Sequence, residues 1–416
     1  MSRILHGDSL EVLKKLGSDS VDAVITDPPY GYSFMGKDWD KAVPSVEIWE
    51  ECLRVLKPGA FAMVMSAPRS DVQNAMISRL MEAGFRLDFT PIYWTYASGF
   101  PKAGNIGKMV DKRLGAERKF VAENPWAFKG DPGTSFKNDG RKNPQSSGHN
   151  PITAASSEEA KVLDGSYAGF QPKPAVEVII VAMKPLTEKT YVDQALKNGH
   201  GITWLDDARI PTSEVWKSHP SPDIRGGKYG GSDGRSHPTS IAKAHEAGRF
   251  PANLLVSDDV LNDGSITVSK KQRIQVKGRS GGILGKQGTD RDYIGGVNDS
   301  GSYSRYFDLD KWAQTLPFLI VPKASKREKS SGLEAAGLKA VHPTVKPLKL
   351  MSYLVALTTR KGDTVLDPFV GSGTTVIAAE KLERYGIGIE REAEYVDIAR
   401  ARLGDSKNSI TQIELL

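Results

Sequence analysis

The sequence has very little cysteine. Its 416 residues contain a single one, Cys52. An internal disulfide and a cysteine-based zinc site are therefore excluded. A mechanism with a cysteine nucleophile would have to use Cys52, whose neighbours from Trp49 to Leu56 have the apolar spacing of a helix. A small buried thiol is the simpler interpretation of that residue.

A hydrophobic run of membrane length is also missing. No apolar stretch is long enough to span a bilayer, and no charged start followed by an apolar core marks a signal peptide. We therefore expect a cytoplasmic protein. The length exceeds that of one ordinary domain, so a large catalytic domain with an inserted region is expected.

Acidic residues are absent from one stretch of the chain, 270–286, which carries six cations. The net charge of the whole chain is +6, so this block equals the entire excess. Such a block can be no more than a solvated loop. Contact with nucleic acid is the sharper interpretation. The predicted DNA-binding residues are Lys270, Lys271, Arg273, Lys277, Arg279 and Lys286.

A Thr-Asp-Pro-Pro-Tyr motif at 26–30 follows the apolar run 21–25, which predicts a buried parallel strand. In open α/β sheets ligands bind just outside the carboxyl ends of the strands. The Asp27 carboxylate and the Pro28 carbonyl could accept the two N–H groups of an amino group on a flat ring. An unstacked base could lie on Tyr30.

The two prolines of this motif fix φ and lack an N–H, which holds the carbonyls of the turn in place. Aspartate and proline are also ordinary turn formers, so a plain strand-ending turn is the alternative. The predicted catalytic residues are Asp27, Pro28, Pro29 and Tyr30.

A second motif comes late in the chain. A strand ending at Asp367 is followed by a glycine turn, a helix and a second strand, which ends at Glu390. Glycines let a ligand approach the backbone, and a carboxylate accepts hydrogen bonds from ribose hydroxyls. No lysine follows Gly373, as a phosphate loop requires, and the third glycine of the dinucleotide fingerprint is missing. The pattern favours a nucleoside without phosphates.

Alternating strand and helix patterns predict an α/β fold with a doubly wound sheet. Two stretches rich in glycine and polar residues interrupt the alternation, and a disordered linker is the alternative for the longer one. The predicted organisation is 1–96 for the catalytic half, 97–172 for an insertion that contacts DNA, 173–198 for a further strand of the catalytic domain, 199–340 for a target-recognition region and 341–416 for the cofactor-binding half.

The two motifs, in this order and with a long irregular region between them, resemble the β-class of amino-group DNA methyltransferases that use S-adenosylmethionine. The resemblance covers roughly residues 3–96, 174–185 and 341–405. It implies a mostly parallel seven-stranded Rossmann-like sheet in which the reversed strand Val176–Ala182 pairs with Leu87–Tyr96. It also implies methylation of a base flipped out of duplex DNA, a homodimer, a place in restriction–modification and no need for a metal.

The family's residue roles transfer to matching positions. Asp27 and Pro28 would engage the target amino group, and Tyr30 would stack on the base. Glu390 would bind the ribose hydroxyls, and Asp8 would bind the adenine of the cofactor. Independently of the resemblance, the sequence pattern predicts that Ser9 caps the following helix. The implied cofactor-binding residues are Asp8, Thr344, Lys346, Asp367, Phe369, Gly371, Ser372, Gly373, Thr374 and Glu390.

Aspartate as the first catalytic residue resembles the adenine-N6 members, whereas N4-cytosine members usually carry serine there. Methylation of the N6 amino group of adenine is therefore predicted, with N4-cytosine as the alternative. Related motifs with asparagine occur in enzymes acting on RNA or protein, but the basic recognition region favours duplex DNA. A silent regulator that binds DNA and S-adenosylmethionine is a hypothesis of another class, against which the intact Asp27, Tyr30 and Gly371 count.

Overall fold

A computed structural model describes most of the two regular halves of the chain and parts of the regions between them. The described residues are 2–31, 42–96, 103–122, 152–170, 175–211, 248–257, 261–262, 302–316, 333 and 345–413, together with the backbone of four short strands between 267 and 301. None of the helices formed by these residues is long and apolar enough to cross a membrane.

The described strands and helices follow one another in the order that the sequence pattern predicts for the regular regions. The strands are β1 (Arg3–His6), β2 (Val21–Thr26), β3 (Leu56–Ser66), β4 (Ile92–Thr95), β5 (Lys119–Ala122), β6 (Ile152–Ala154), β7 (Val176–Met183), β8 (Leu254–Val256), β9 (Thr267–Ser269), β10 (Gln272–Val276), β11 (Arg291–Gly295), β12 (Asp299–Gly301), β13 (Thr364–Asp367) and β14 (Tyr385–Glu390). The helices are α1 (Ser9–Leu13), α2 (Val46–Val55), α3 (Ser70–Glu82), α4 (Ile106–Leu114), α5 (Glu158–Val162), α6 (Tyr191–Asn198), α7 (Leu309–Ala313), α8 (Leu348–Thr358), α9 (Thr374–Lys381) and α10 (Ala393–Ile413).

The central sheet has eight strands in the order β1-β14-β13-β2-β3-β7-β4-β8. All neighbours are parallel except around β7, which runs antiparallel to both β3 and β4. The prediction of a mostly parallel sheet with one reversed strand is confirmed, as is the pairing of β7 with the strand before the insertion. The sheet differs from the expected seven strands because β8, from the predicted recognition region, joins its edge beside β4.

Helices cover both faces of this sheet, so the fold is doubly wound. On β2, Ala23 and Ile25 pack into a core formed with α8, whereas Val21 and Val24 pack into a second core formed with α2 and α3. Cys52 is fully buried in that second core, where burial raises the pKa of its thiol. The interpretation of Cys52 as a buried structural thiol is confirmed.

The structure describes part of the insertion predicted for 97–172. Helix α4 carries the buried Asp111, whose carboxylate contacts residues directly before β5 and α5. Burial opposes ionisation of this carboxyl, but hydrogen bonds from Ser157, Ser156 and Arg118 outweigh that effect and bring its pKa to about 2. Asp111 therefore links the two helices of this small unit.

Segments of the predicted recognition region pack into the main core. Leu309 and Trp312 of α7 are buried, and the Trp312 indole N–H donates to the carbonyl of Asp207 at 2.9 Å. The Trp312 ring meets Tyr353 of α8 edge-on, with ring centroids 5.0 Å apart. Region 199–340 is thus interleaved with the catalytic domain at these points.

Candidate active site

Four carboxylates lie along the edge of the sheet that is formed by the carboxyl ends of its parallel strands. Strands β1, β14, β13 and β2 are parallel neighbours, so their carboxyl ends meet there. Asp8 follows β1, Glu390 ends β14, Asp367 ends β13 and Asp27 follows β2. The sequence predicted all four as site residues, and the fold brings them together from opposite ends of the chain.

Asp367 connects the end of β2 to the glycine turn that follows β13. Its Oδ1 accepts a hydrogen bond from the hydroxyl of Thr26 at 2.6 Å and from the Phe369 backbone N–H at 3.0 Å. Its Oδ2 accepts from the Thr375 hydroxyl at 2.6 Å. Burial raises the pKa of Asp367 to about 6 despite these hydrogen bonds. The carboxyl is only 3% exposed, which places it beneath the turn, where it holds the two motifs together.

The glycine turn is shaped by its contact with the last helix. Gly371 and Gly373 have φ of +50° and +88°, values that side chains disfavour. A Cβ on Gly373 would come within 3.1 Å of the Cβ of Ala399 in α10. Arg402 of the same helix donates to the Ser372 carbonyl. Contacts with α10 therefore fix the conformation of the glycine turn.

The other turn residues are placed as follows. Thr374 is buried and its hydroxyl lies 3.3 Å from the Arg402 guanidinium. Phe369 is half-buried and meets the ring of Trp49 edge-on at 6.3 Å. Of these predicted cofactor residues, Phe369 and Gly371 keep partial exposure at the sheet edge, whereas Ser372, Gly373 and Thr374 are buried.

Glu390 faces the same turn. Its Oε2 accepts the Gly371 N–H at 3.0 Å and its Oε1 accepts the Glu392 N–H at 2.8 Å, while burial raises its pKa. Each carboxylate oxygen has a second lone pair, so Glu390 can still accept hydrogen bonds from ligand hydroxyls. These acceptor positions suit the hydroxyl groups of a ribose.

Asp8 is exposed and caps α1, because its Oδ1 accepts the Leu10 N–H at 3.0 Å. The prediction that Ser9 is the cap is wrong. Ser9 is instead the first helical residue, and its hydroxyl donates to the Pro368 carbonyl at 2.7 Å. This bond ties α1 to the glycine turn, so Asp8 and the turn are held in one unit.

The turn Asp27–Tyr30, which is the predicted catalytic turn, carries a charged cluster. The Tyr30 hydroxyl donates to Asp27 Oδ1 at 2.5 Å, and Lys346 Nζ lies 3.1 Å from Asp27 Oδ2. The same ammonium donates to Glu177 Oε2 at 2.8 Å and lies 5.8 Å from the centre of the Tyr30 ring. Pro28 is buried. Burial, followed by the charge of Asp27, raises the pKa of Tyr30.

Lys346 was predicted to bind the cofactor, and in the structure its ammonium contacts the Asp27 carboxylate. Its predicted companion Thr344 lies outside the described residues.

Sequence reasoning missed Glu177. It lies near the start of β7, opposite Trp94 of β4. Because β7 runs antiparallel to its neighbours, its first residues reach the edge where the parallel strands end. Burial raises the pKa of the nearby Tyr96 to about 12, with Glu177 adding to the effect. The predicted strand reversal was the signal that could have placed Glu177 beside Asp27.

The predicted DNA contacts are largely outside the described residues. Arg273 lies on β10, for which only the backbone is described, and the other five residues of the basic block are not described. Across the described part of the chain, no three His, Cys, Asp or Glu side chains form a group that could hold a metal ion.

Two bacterial type II methyltransferases share short stretches with this chain. M2.DpnII of Streptococcus pneumoniae is 53% identical over 62 residues, which are 15% of this chain and 23% of that protein. M.HinfI of Haemophilus influenzae is 45% identical over 78 residues, which are 19% of this chain and 22% of that protein. The chain thus matches less than a quarter of the length of these relatives.

Among solved structures, the PvuII DNA methyltransferase (cytosine-N4-specific) aligns with 99% of this chain and 93% of its own, at 16% identity and a TM-score of 0.43. M1.HpyAVI aligns with 97% of this chain and 98% of its own, at 17% identity and a TM-score of 0.37.

A family model covers nearly the whole chain. Residues 21–401 match N6_N4_Mtase, described as DNA methylase. This range contains the catalytic turn, the insertion, the recognition region and the glycine turn. The chain belongs to the N6_N4_Mtase family of DNA methylases.

Proposed function

We propose that this protein transfers a methyl group from S-adenosylmethionine to the N6 amino group of adenine in duplex DNA. One observation carries the proposal. The catalytic turn and the glycine turn end the neighbouring strands β2 and β13, and the Thr26–Asp367 hydrogen bond joins them. A base amino group at Asp27 and a nucleoside at Glu390 would therefore be held side by side, as direct transfer requires.

The residues at the sheet edge suit the cofactor. S-adenosylmethionine, when bound, supplies a methyl group on a positively charged sulfur. Glu390 would bind the ribose hydroxyls, and the exposed Asp8 would accept a hydrogen bond from the adenine amino group. Phe369 and Gly371 would line the same nucleoside. The carboxyl oxygens of Glu390 fit this role because each keeps a lone pair after binding a backbone N–H.

Asp27 would act on the target base. The base must leave the duplex, because its amino group is otherwise paired. Asp27 and the Pro28 carbonyl would each accept one N–H, which orients the nitrogen lone pair for attack. The nitrogen–carbon bond would form as the carbon–sulfur bond breaks, which leaves a neutral thioether. The nitrogen would be positively charged until it loses one proton to solvent, and a carboxylate beside it would stabilise that charge. Tyr30 would stack on the flipped base.

The choice of adenine rests on the aspartate at position 27, which resembles the adenine-specific members. The proposed partner is duplex DNA, contacted through the phosphates by the basic block at 270–286. We also propose a homodimer on the strength of the family resemblance.

The test is product analysis. The purified protein is incubated with unmethylated DNA and S-adenosylmethionine, and the DNA is digested to nucleosides for mass spectrometry. We expect N6-methyldeoxyadenosine from the wild type, its loss in Asp27→Ala, and its retention in Asp71→Ala, an exposed acid paired with Arg69.

Repeating the assay at about 50 mM and about 200 mM salt tests the phosphate contacts, since activity at limiting DNA should fall steeply.

N4-methyldeoxycytidine as the product would keep the mechanism and overturn the base assignment. Unchanged methylation in Asp27→Ala would overturn the catalytic role of Asp27. No methylated base from the wild type on any DNA would contradict the proposed activity.

A further inference from the structure

A lysine ammonium lies between two carboxylates at the catalytic turn, and the second carboxylate has no role in the function proposed above. We propose that Glu177 is a positioning residue that holds Lys346 against Asp27 and thereby fixes the catalytic carboxylate for the target amino group. This inference rests on the proposed methyltransferase activity. Glu177 itself acts through Lys346.

The geometry of the pair supports a shared ammonium. Lys346 Nζ is 2.8 Å from Glu177 Oε2 and 3.1 Å from Asp27 Oδ2, so the contact with Glu177 is the shorter one. The side chains of Lys346, Glu177 and Asp27 are 14%, 17% and 21% exposed. Water therefore screens these charges little, and the pairing is stronger than that of a surface ion pair.

Asp27 is held at both oxygens. Tyr30 donates to Oδ1 and Lys346 to Oδ2, which fixes the plane of the carboxylate. A carboxylate oxygen has two lone pairs, so each oxygen can still accept an N–H of the base. This leaves the carboxylate oriented and able to bind substrate.

Glu177 suits the positioning role because of where it lies. Lysine has a flexible four-carbon stem, and one carboxylate partner leaves its ammonium several positions to occupy. Strand β7 is paired with β3 from Val178 onward and with β4 at Glu177 itself, so the backbone of Glu177 is held in the sheet. A second anchor on a rigid strand restricts Lys346 to the position that contacts Asp27.

The charges agree with this arrangement. Burial alone lowers the pKa of Lys346, but the carboxylates of Asp27 and Glu177 raise it well above its usual value. Among the described residues, the titratable groups that face the ammonium are Asp27 and Tyr30 of the catalytic turn, Glu177 of β7 and Tyr96 at the end of β4. Removing the charge of Glu177 takes away one of the two groups that keep Lys346 protonated.

The experiment compares steady-state methylation by the wild type, Glu177→Gln, Glu177→Asp and Lys346→Met. In Glu177→Gln we expect kcat to fall about 10- to 100-fold, since a small misplacement of a reacting group has an effect of that order. The KM for S-adenosylmethionine should stay unchanged. Glu177→Asp keeps the charge and should recover part of kcat. In Glu177→Gln, Lys346 loses one of the two carboxylates that raise its pKa, so kcat should decline at a lower alkaline pH than in the wild type. Glu177→Asp keeps the charge and should not show this shift.

A double-variant cycle separates positioning from general stabilisation. If Glu177 acts through Lys346, adding Glu177→Gln to Lys346→Met causes no further loss of kcat. Glu51→Gln is the matched control, because Glu51 is a partly exposed carboxylate paired with Arg54 on α2. That variant should keep both kcat and the pH profile of the wild type.

The outcomes distinguish this inference from the proposed function. A wild type that makes no methylated base contradicts the function itself. A wild type that methylates DNA, together with a Glu177→Gln variant of equal kcat and pH profile, overturns only the role of Glu177. Losses of kcat that add in the double variant also overturn it, because independent sites give additive effects.

Discussion

Individual carboxylates at the sheet edge divide into two kinds. Asp367 is buried, and Thr26, Thr375 and a backbone N–H already donate to its oxygens. Asp27 and Glu390 keep partial exposure and lone pairs that a ligand can use. The sequence motif names all of these acids but cannot separate a carboxylate that holds the turn from one that binds a ligand, because burial depends on the folded neighbours.

The pKa of Asp367 makes a prediction for stability. Its folded pKa of about 6 lies above the ordinary value of 3.8, so the folded protein favours the protonated form. The stabilisation is complete below about pH 4 and is lost as the pH rises through about 6. The shift corresponds to about 3 kcal/mol. Urea unfolding from about pH 4 to about pH 7.5 should show this decline in the wild type and not in Asp367→Asn. Parallel curves for the two proteins would contradict the assignment.

Packing between elements explains the glycine turn. Gly373 is the N-cap of α9, has a left-handed φ and lies against Ala399 of α10. Gly388 of β14 lies so close to Val370 that a Cβ would approach the Val370 side chain within 2.6 Å. Part of the glycine pattern that predicts a nucleoside site is therefore required by contacts between the turn, its helix and the neighbouring strand. Both requirements apply to the same short segment.

Substitution of two glycines separates conformation from packing. Gly362 and Gly373 have nearly the same φ, +86° and +88°, but a Cβ at Gly362 would meet nothing within 4 Å. Gly362→Ala should lower the free energy of unfolding by about 1–2 kcal/mol for the left-handed backbone alone. Gly373→Ala should lower it by a further 1–3 kcal/mol or so, because the backbone of α10 must shift. Equal losses in urea unfolding would rule out the helix contact as a cause.

The elements differ in how far the sequence predicts them. Apolar runs and glycine turns predicted β2, β7, β13 and β14, because buried strands carry their signal locally. The place of β8 beside β4 depends on a partner far away in the sequence. The position of Glu177 near Asp27 follows from the reversed direction of β7, which the family resemblance implied but which no local pattern encodes.

The whole molecule is more interleaved than its sequence suggests. The glycine-rich stretches led to a prediction of separate regions, but β8 and α7 of region 199–340 are built into the sheet and its core. The Trp94 indole N–H donates to Ser257 at 3.0 Å, directly after β8, at the end of the sheet next to Tyr96. Segments of the predicted recognition region and the strands that end at the candidate active site therefore share one core.

Two aromatic truncations test this interleaving. Trp312 is 2% exposed and packs on Tyr353, whereas Phe170 of the insertion is 93% exposed. Trp312→Ala should lower the free energy of unfolding of the whole protein by about 3–5 kcal/mol, as expected for a large core side chain. Phe170→Ala should change it by less than about 0.5 kcal/mol. If Trp312 belonged to a separately folding module, its truncation would leave the unfolding of the catalytic sheet unchanged. A single unfolding transition that moves to lower urea, followed by both fluorescence and circular dichroism, is the result that a shared core requires.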